Sequence, residues 1–371
     1  LVLRKSIWSA GRTAIKSALD SYADEYRATF DRQAPLADQP KTILPADPKT
    51  IWMEGVGLIG LGANATAARI AGDLAVQNAR VRAVGEDAGG FFPIGEKDLF
   101  DIEYWSLEQA KLGKGTPPRL RGKVVMVTGG AGTIGFAIAK AFAREGAECF
   151  LIDMDQSMLD RGLADLGSGH SGLVLNVTES GSAEKAMEAC IDTFGGLDIL
   201  VSNAGAAMAG ALLDLSEKAL RAAFELNFFS HQKFAIAASK LFKTQGRQGQ
   251  ILFNISKQAV NPGKNFGAYG MPKATTFFLM RQLALELGDA GIRVNGVNAD
   301  RIRSGLLDDD FIAERAKARG VSEDQYMAGN LLQKEVRADH VADAFVALAL
   351  SERTTGHVMT VDGGNIEAAL R

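Results

Sequence analysis

From Leu120 to the end of the chain, short runs of apolar residues alternate with amphipathic stretches. A continuous apolar run is typical of a parallel strand covered on both faces, whereas apolar residues three or four apart are typical of a helix. The alternation predicts a doubly wound α/β domain with a seven-stranded parallel sheet. The predicted strands cover residues 123–128, 149–154, 172–177, 197–203, 249–255, 292–298 and 357–362.

The residues before this domain have a different pattern. Residues 1–32 predict a short strand followed by a helix from about Arg12 to Asp31. Residues 33–49 contain four prolines among polar residues, which indicates a linker. The chain begins with no methionine and in an apolar run, so we expect it to be a fragment of a longer protein.

A strand, a glycine-rich turn and a helix are predicted after this linker, at residues 50–62 and 64–84. Asn64 is the expected N-cap of that helix, because its side chain can accept a hydrogen bond from a free N–H group of the first turn. Residues 113–118 predict a second linker. We therefore expect an N-terminal α/β extension followed by one domain at residues 119–371.

Composition excludes several classes of function. The net charge of the 371 residues is −3, so no basic field indicates nucleic acid or an anionic membrane, and no apolar run is long enough to span a bilayer. Cys149 and Cys190 lie in apolar patterns, which indicates reduced core thiols in a cytoplasmic protein. The four histidines have no metal-ligand spacing, so no metal site is expected.

Two glycine-rich segments compete as a dinucleotide site, MEGVGLIGLG at 53–62 and MVTGGAGTIG at 126–135. Such a site needs a strand, a turn, a helix and a second strand that ends in an acidic residue. Only the second segment has all of these, with Asp153 at the end of the next predicted strand. The first segment has no such acid, and we interpret it as a tight connection from a strand to a helix.

The predicted cofactor is NAD, held by a Rossmann-like arrangement. Free N–H groups at the start of the helix after residues 126–135 favour a pyrophosphate. The carboxylate of Asp153 can accept hydrogen bonds from the ribose hydroxyls of NAD, and it would repel the 2′-phosphate of NADP. The alternative for Asp153 is a solvated carboxylate at a strand end.

Further motifs follow in a fixed order. Ser256 precedes Tyr269 by thirteen residues, Lys273 follows Tyr269 at i+4, and Asn227 lies in LNFF. The remaining motifs are TGGAGTIG (128–135), NAG (203–205) and VDGG (361–364). Residues 120–371 resemble a short-chain dehydrogenase/reductase across their full length.

The chemistry expected of this group is acid–base catalysis of hydride transfer. An ordinary phenol has a pKa of about 10, and a nearby ammonium lowers it, so Lys273 is expected to favour the phenolate of Tyr269. Ser256 can hydrogen-bond the substrate oxygen. The resemblance implies that Lys273 also holds the nicotinamide ribose and that Asn227 positions a water that links this lysine to solvent. Taken singly, these residues are equally typical of a surface pair, a strand-end serine and a turn or N-cap asparagine.

The resemblance implies a set of cofactor contacts along the carboxyl edge of the sheet. They are Gly129, Gly132, Thr133, Ile134, Gly135, Asp153, Met154, Asn176, Val177, Asn203, Ala204, Gly205, Tyr269, Lys273, Ile302 and Ser304. The sequence departs from the family pattern in four places. Thr133 replaces a usual glycine, residues 298–300 replace a Pro-Gly, Met271-Pro272 lie inside the Tyr-x-x-x-Lys motif, and Asn176 stands where aspartate is common.

A narrower resemblance extends to the N-terminal region. GVGLIGLG, FDIEYWSLEQAKL, NPGKNFGAYGMPKA and DRIRSGLL are similar to the C-terminal part of bifunctional class II aldolase/short-chain dehydrogenases, of the rhamnulose-1-phosphate aldolase/alcohol dehydrogenase group. Residues 1–32 would then be the tail of a truncated aldolase-like domain, and residues 33–118 the linker and connecting segment. Ser6-Ile7 stand where that family has a zinc-binding His-Gly, so no aldolase activity is expected.

The expected function is NAD(H)-dependent interconversion of an alcohol and a carbonyl on a small polar or sugar-derived substrate, either lactaldehyde-like or a sugar alcohol. The alternative is a dinucleotide-binding sensor or scaffold without turnover. Residues 304–335 are expected to form a substrate lid. Lys257, Gln258 and Asn261 could line the substrate pocket. Arg301 and Arg303 could meet a substrate carboxylate or phosphate. The favoured alternative is that at least one of these arginines is a solvated or salt-bridged surface residue. A homodimer or homotetramer is expected, built on the helices that carry Asn227 and Tyr269.

Overall fold

A computed structural model of the chain describes residues 7–9, 14–106, 116–305 and 307–365. The chain forms two compact units, Leu1–Pro117 and Pro118–Arg371. Parts of the expected opening strand and of the second linker, including Ser6 and residues 113–115, lie outside the described residues. No helix in the described ranges is both long and apolar enough to cross a membrane.

The N-terminal unit is a small three-stranded sheet with helices. Strand β1 (Ile7–Ser9) runs parallel to β2 (Thr50–Met53), and β2 pairs antiparallel with β3 (Gly57–Gly60). The helices are α1 (Ile15–Gln33), α2 (Ala65–Asp87) and α3 (Glu96–Glu103). Asn64 caps α2 as expected, since its side-chain oxygen accepts a hydrogen bond from the N–H of Ala67 at 2.8 Å.

The first glycine-rich segment forms a β-hairpin, so its interpretation as a direct strand-to-helix connection is wrong. Gly55 lies in the turn between the antiparallel strands β2 and β3, and Gly57 begins β3, with φ of +74° and +110° respectively. These angles lie in a region that side chains other than glycine rarely adopt. Gly60 serves the packing of α2, because a Cβ there would lie 2.3 Å from the carbonyl oxygen of Ala68.

The C-terminal unit contains the seven-stranded parallel sheet that the apolar runs predict. The strands are β4 (Val124–Thr128), β5 (Glu148–Asp153), β6 (Ser171–Val174), β7 (Ile199–Ser202), β8 (Gln250–Asn254), β9 (Arg293–Ala299) and β10 (Val358–Val361). Their order is β10-β9-β8-β7-β4-β5-β6. The strand order reverses between β4 and β7, which is where doubly wound sheets bind ligands at the carboxyl ends of their strands.

Helices cover both faces of this sheet. They are α4 (Thr133–Arg144), α5 (Gln156–Leu166), α6 (Ser182–Phe194), α7 (Glu217–Phe224), α8 (Ser230–Gln245), α9 (Gly267–Leu287), α10 (Asp309–Arg319), α11 (Glu323–Met327) and α12 (Ala338–Leu350). Two apolar cores lie on opposite faces of the sheet, and the alternate side chains of each strand enter one or the other. Cys149 and Cys190 are free and fully buried in these cores, and burial raises the pKa of each thiol to about 12.

Candidate active site

A cleft of about 790 Å³ lies along the carboxyl ends of the sheet strands. Every residue that the sequence analysis assigned to the cofactor lines this cleft, from Gly129 to Ser304. Ser256, Tyr269 and Lys273 line the same cleft, as do Lys257, Gln258 and Asn261. Groups from distant parts of the chain therefore share one cavity of a size typical for small-molecule and cofactor sites.

The second glycine-rich turn has the local geometry that a pyrophosphate requires. Gly129 has φ of +61°, and Gly132 ends the turn directly before α4. No side chain of the described residues caps this helix, so the N–H groups of its first turn are available to an anion. The nearest atom to a Cβ built on Gly132 is 3.5 Å away, whereas a Cβ on Gly135 would lie 2.1 Å from the carbonyl oxygen of Gly129. The turn thus leaves space at Gly132 and packs the helix closely at Gly135.

Asp153 ends β5 beside this turn. One carboxylate oxygen accepts a hydrogen bond from the N–H of Ala131 at 3.0 Å, and the other accepts from the N–H of Asp155 at 3.2 Å. Each oxygen retains further acceptor capacity because a carboxylate oxygen has two lone pairs. The carboxylate is therefore fixed in place and can still accept hydrogen bonds from ribose hydroxyls.

Asn203 connects three strands at the floor of the cleft. Its amide donates to the carbonyl oxygens of Thr128 and Gly129 at 3.0 and 3.2 Å, and its side-chain oxygen accepts from Asn254 at 2.8 Å. This asparagine ties the glycine turn to the ends of β7 and β8. Asn176 lines the cleft with its side-chain oxygen bonded to the N–H and hydroxyl of Thr178, so it can offer a ligand its amide N–H.

Ser256 follows β8, while Tyr269 and Lys273 lie one turn apart on α9. The Ser256 hydroxyl is close enough to the Tyr269 phenol to lower its pKa in part, and it also accepts a hydrogen bond from the N–H of Gln258 at 3.2 Å. The Nζ atom of Lys273 donates to the carbonyl oxygen of Asn254 at 2.9 Å and lies 5.8 Å from the centre of the Tyr269 ring. The side chains of Tyr269 and Lys273 are both buried, so these groups are held in a low-dielectric environment.

The expectation that Lys273 lowers the pKa of Tyr269 is wrong for this structure. Burial raises the pKa of Tyr269 to about 12, and the neighbouring Ser256 hydroxyl offsets only part of that effect. Burial also lowers the pKa of Lys273 to about 7, because the buried ammonium loses its contact with water. The lysine is therefore only partly charged near neutrality, and the phenol holds its proton.

Asn227 lies beside the cleft and does not line it. It belongs to a π-helical turn, Glu225–Phe229, and is almost fully buried. Its side-chain amide donates to the carbonyl oxygens of Ala206 and Ala223 at 3.0 and 3.1 Å, and its own carbonyl accepts from the Thr276 hydroxyl at 2.8 Å. These bonds fix the π-helical turn against α9, whereas its role in a proton relay stays a prediction.

His231 is a residue near the site that sequence reasoning missed. Its Nδ1 atom lies 2.6 Å from the hydroxyl of Ser202, and its side chain is buried. Burial, and then the charge of nearby Lys273, holds the pKa of His231 well below its usual value, so the imidazole is neutral. Its position one turn after Asn227 on an apolar helix gave no sign of this proximity.

Of the two arginines Arg301 and Arg303, only the first lines the cleft. Arg301 lines the cleft, but its Nε atom bonds the carboxylate of Asp300 at 3.2 Å. Lys257 pairs with the same carboxylate at 3.1 Å. Arg303 lies outside the cleft lining and pairs with Asp309 and Glu335, each at 2.9 Å, so it is not placed to meet a substrate.

The expected lid contributes residues that sequence reasoning did not single out. Helices α10 and α11 lie in the 304–335 segment and pack on each other. Four of their side chains line the cleft, namely Phe311, Arg315, Arg319 and Tyr326. In the sequence they belong to a charged stretch typical of a solvated helix face, and only the packing of the segment brings them to the cleft.

Two family models match the chain. The model described as enoyl-(acyl carrier protein) reductase, of the short-chain alcohol dehydrogenase type, matches residues 129–365. The model described as the second domain of class II aldolases matches residues 4–112. The two matches fall in the two compact units of the structure.

Individual proteins agree with these matches. The chain is 32% identical over 366 residues to the uncharacterized oxidoreductase YuxG of Bacillus subtilis, and it spans about half of that relative, 52%. It is 30% identical over 277 residues to short-chain dehydrogenase reductase 4 of Arabidopsis thaliana, with 72% of this chain and 91% of the relative covered. The structure of L-sorbose reductase from Gluconobacter frateurii with NADPH and L-sorbose is similar at 26% identity and a TM-score of 0.61, covering 67% of this chain and 98% of the reductase.

Proposed function

The chain belongs to the short-chain dehydrogenase/reductase family, and we propose that it interconverts an alcohol and a carbonyl on a small polar or sugar-derived substrate with NAD(H). The observation that carries this proposal is that Ser256, Tyr269 and Lys273 lie together in the cleft that also holds the glycine turn. When bound, a nicotinamide dinucleotide supplies or accepts the hydride. The residues described below bind the cofactor, orient the substrate and transfer the proton.

Tyr269 is proposed as the general acid in carbonyl reduction. Its pKa of about 12 keeps the phenol protonated at neutral pH, ready to donate to a carbonyl oxygen that gains negative charge. Ser256 supplies a second hydroxyl to that oxygen. In the reverse direction the phenolate must accept the alcohol proton, and burial disfavours that anion. The apolar surroundings of Tyr269 thus favour the protonated phenol that carbonyl reduction requires.

We propose that the protein prefers NAD to NADP because of the carboxylate of Asp153. Its carboxylate is held by two backbone N–H groups beside the glycine turn, where it would accept bonds from both ribose hydroxyls. A 2′-phosphate at that position would meet a fixed negative charge. The relative that binds L-sorbose uses NADPH, so the family alone does not determine the cofactor, and this residue carries the proposal.

The remaining expectations stay proposals. We propose that residues 1–32 are the tail of an aldolase-like domain without aldolase activity and that residues 33–118 are a connecting segment, although one family model spans residues 4–112. We also propose a cytoplasmic homodimer or homotetramer. Its support is the exposure of large apolar side chains on α9, with Phe278 at 68% and Leu285 at 80%.

A screen of small aldehydes, ketones, sugars and alcohols with NADH or NAD tests the proposal. Cofactor-dependent turnover that Tyr269→Phe reduces about a hundredfold or more supports it. The control is Tyr326→Phe, which removes another phenol hydroxyl from the same cleft. Turnover that Tyr269→Phe leaves unchanged would refute the assigned chemistry. Tight NADH binding without turnover of any compound would favour the alternative of a dinucleotide sensor.

A further inference from the structure

The cleft is strongly basic away from Asp153. Among the described residues, the basic side chains of the cleft apart from Lys273 are Lys257, Lys264, Arg301, Arg315 and Arg319, and its carboxylates are those of Asp153 and Asp300. Asp300 is bonded to Lys257 and Arg301, so its charge is already shared between two cations. The described residues that line the cleft therefore carry an excess of positive charge.

Arg315 is held in the cleft by aromatic rings. Its guanidinium lies 4.9 Å from the centre of the Phe266 ring and 5.0 Å from that of Phe311, and these two rings meet edge to face at 5.8 Å. The side chain is half-buried, and within the described ranges no carboxylate lies within 4 Å of it. Cation–π contacts fix the plane of the guanidinium and leave its N–H donors for another acceptor.

Arg319 lies one helical turn further along α10. Its guanidinium is 5.0 Å from the centre of the Tyr326 ring, and Arg301 lies 5.1 Å from the same ring. No carboxylate of a described residue pairs with Arg319. Because residues at i and i+4 share one face of a helix, Arg315 and Arg319 present two guanidinium groups on the same side of the lid.

On the basis of the function proposed above, we propose that the substrate carries an anionic group, either a carboxylate or a phosphate ester, which Arg315 and Arg319 bind. Planar guanidinium groups bind both kinds of oxyanion with paired hydrogen bonds. An anion between these arginines and the rest of the cleft would hold α10 over the substrate, so binding and lid closure would be coupled. A neutral sugar or alcohol would leave both guanidinium groups without an anionic partner.

The first test measures binding without turnover. Calorimetry with the NADH-loaded protein uses 2-phosphoglycolate and malonate, which carry the proposed anionic groups and no reducible carbonyl. We expect both to bind, and Arg315→Gln to weaken binding about tenfold or more. Lys317→Gln is the matched control, because Lys317 lies on the same helix, exposed and outside the cleft lining. Absence of binding to the parent protein, or equal binding by parent and Arg315→Gln, would overturn the inference.

The second test compares turnover of glyceraldehyde, glyceraldehyde 3-phosphate and tartronate semialdehyde, which differ at their third carbon. We expect kcat/KM to be about tenfold or more higher for an anionic aldehyde than for the neutral one. Arg315→Gln and Arg319→Gln should remove that preference, whereas the exposed control Lys317→Gln should keep it. A preference for the phosphate or for the carboxylate identifies the anion. An Arg315→Gln variant that raises the KM of NADH instead would show that the arginine contacts the cofactor and would overturn the inference.

These results separate the two proposals. Turnover of all three aldehydes at equal rates would overturn the anionic substrate and leave the dehydrogenase function intact. Arginine-dependent binding of phosphoglycolate without turnover of any aldehyde would support the anion site and count against the dehydrogenase function. Circular dichroism and thermal unfolding of each arginine variant show whether it is folded, and Arg319→Gln tests the same inference should Arg315→Gln unfold.

Discussion

The Nζ atom of Lys273 lies 5.8 Å from the centre of the Tyr269 ring and donates a 2.9 Å hydrogen bond to the carbonyl oxygen of Asn254. The buried lysine is thus anchored to the end of β8 beside the phenol, with its pKa lowered to about 7. Lys273 is therefore held at a fixed distance from Tyr269, and its charge changes near neutral pH. Both features lead to measurable predictions.

The buried ammonium of Lys273 should destabilise the folded protein at low pH. Its pKa is about 7 when folded and near 10.5 when unfolded, so below pH 7 both states are charged and the full burial penalty applies. Between pH 7 and 10.5 the unfolded chain binds more protons, and stability rises with pH. Lys273→Met should therefore raise Tm by several degrees below pH 7, and the gain should shrink towards pH 10.5. The exposed Lys317→Met serves as control, and a gain that does not change with pH would contradict the lowered pKa.

Removing the charge of Asp153 should weaken the choice of cofactor. Asp153→Ser keeps a group that can hydrogen-bond a ribose hydroxyl but no longer repels a 2′-phosphate. The ratio of kcat/KM for NADPH to that for NADH should rise about tenfold or more. Asp155→Asn is the control, since Asp155 is an exposed N-cap of α5 that asparagine can replace. A parent protein that already prefers NADPH would refute the assignment.

The exposed apolar residues of α9 should lie in an interface between copies of the chain. Phe278→Glu places a charge on a position that is 68% exposed in the single chain, so it should not disturb the core. Sedimentation should show a dimer or tetramer for the parent and a smaller species for the variant. Phe92→Glu, at an exposed position of the N-terminal unit, should leave the assembly unchanged. A parent that sediments as a monomer at all concentrations would contradict this prediction.

The sheet could be predicted because the residues of each strand show by themselves that they form a strand. A run such as Val124–Thr128 is apolar at every position because both faces of the strand are covered, and no distant information is needed to recognise it. The glycine turn before α4 is equally local, since Gly129, Gly132 and Gly135 lie within seven consecutive residues. The same kind of pattern failed at Gly55 and Gly57, because glycine spacing does not show whether the next segment pairs antiparallel or starts a helix.

The parts of the site that the sequence did not predict depend on packing between distant segments. Arg315 and Arg319 belong to a charged stretch, and only the contact of α10 with Phe266 and Tyr326 brings them to the cleft. The pKa of Tyr269 likewise depends on burial by several elements, so the i+4 spacing to Lys273 alone gave the wrong direction. Motif spacing therefore predicted that Tyr269 and Lys273 lie close together, but it did not predict their charge states.

The transfer of deuterium from NADH that carries deuterium at both C4 positions tests the central claim most directly, namely that Tyr269 protonates a carbonyl oxygen while a hydride reaches the carbon. With a carbonyl compound that the protein reduces, the account predicts an alcohol that carries the deuterium on its carbinol carbon. It also predicts that Tyr269→Phe slows this transfer about a hundredfold or more with NADH binding unchanged. Transfer at the parent rate by Tyr269→Phe, or an alcohol without deuterium, would contradict it.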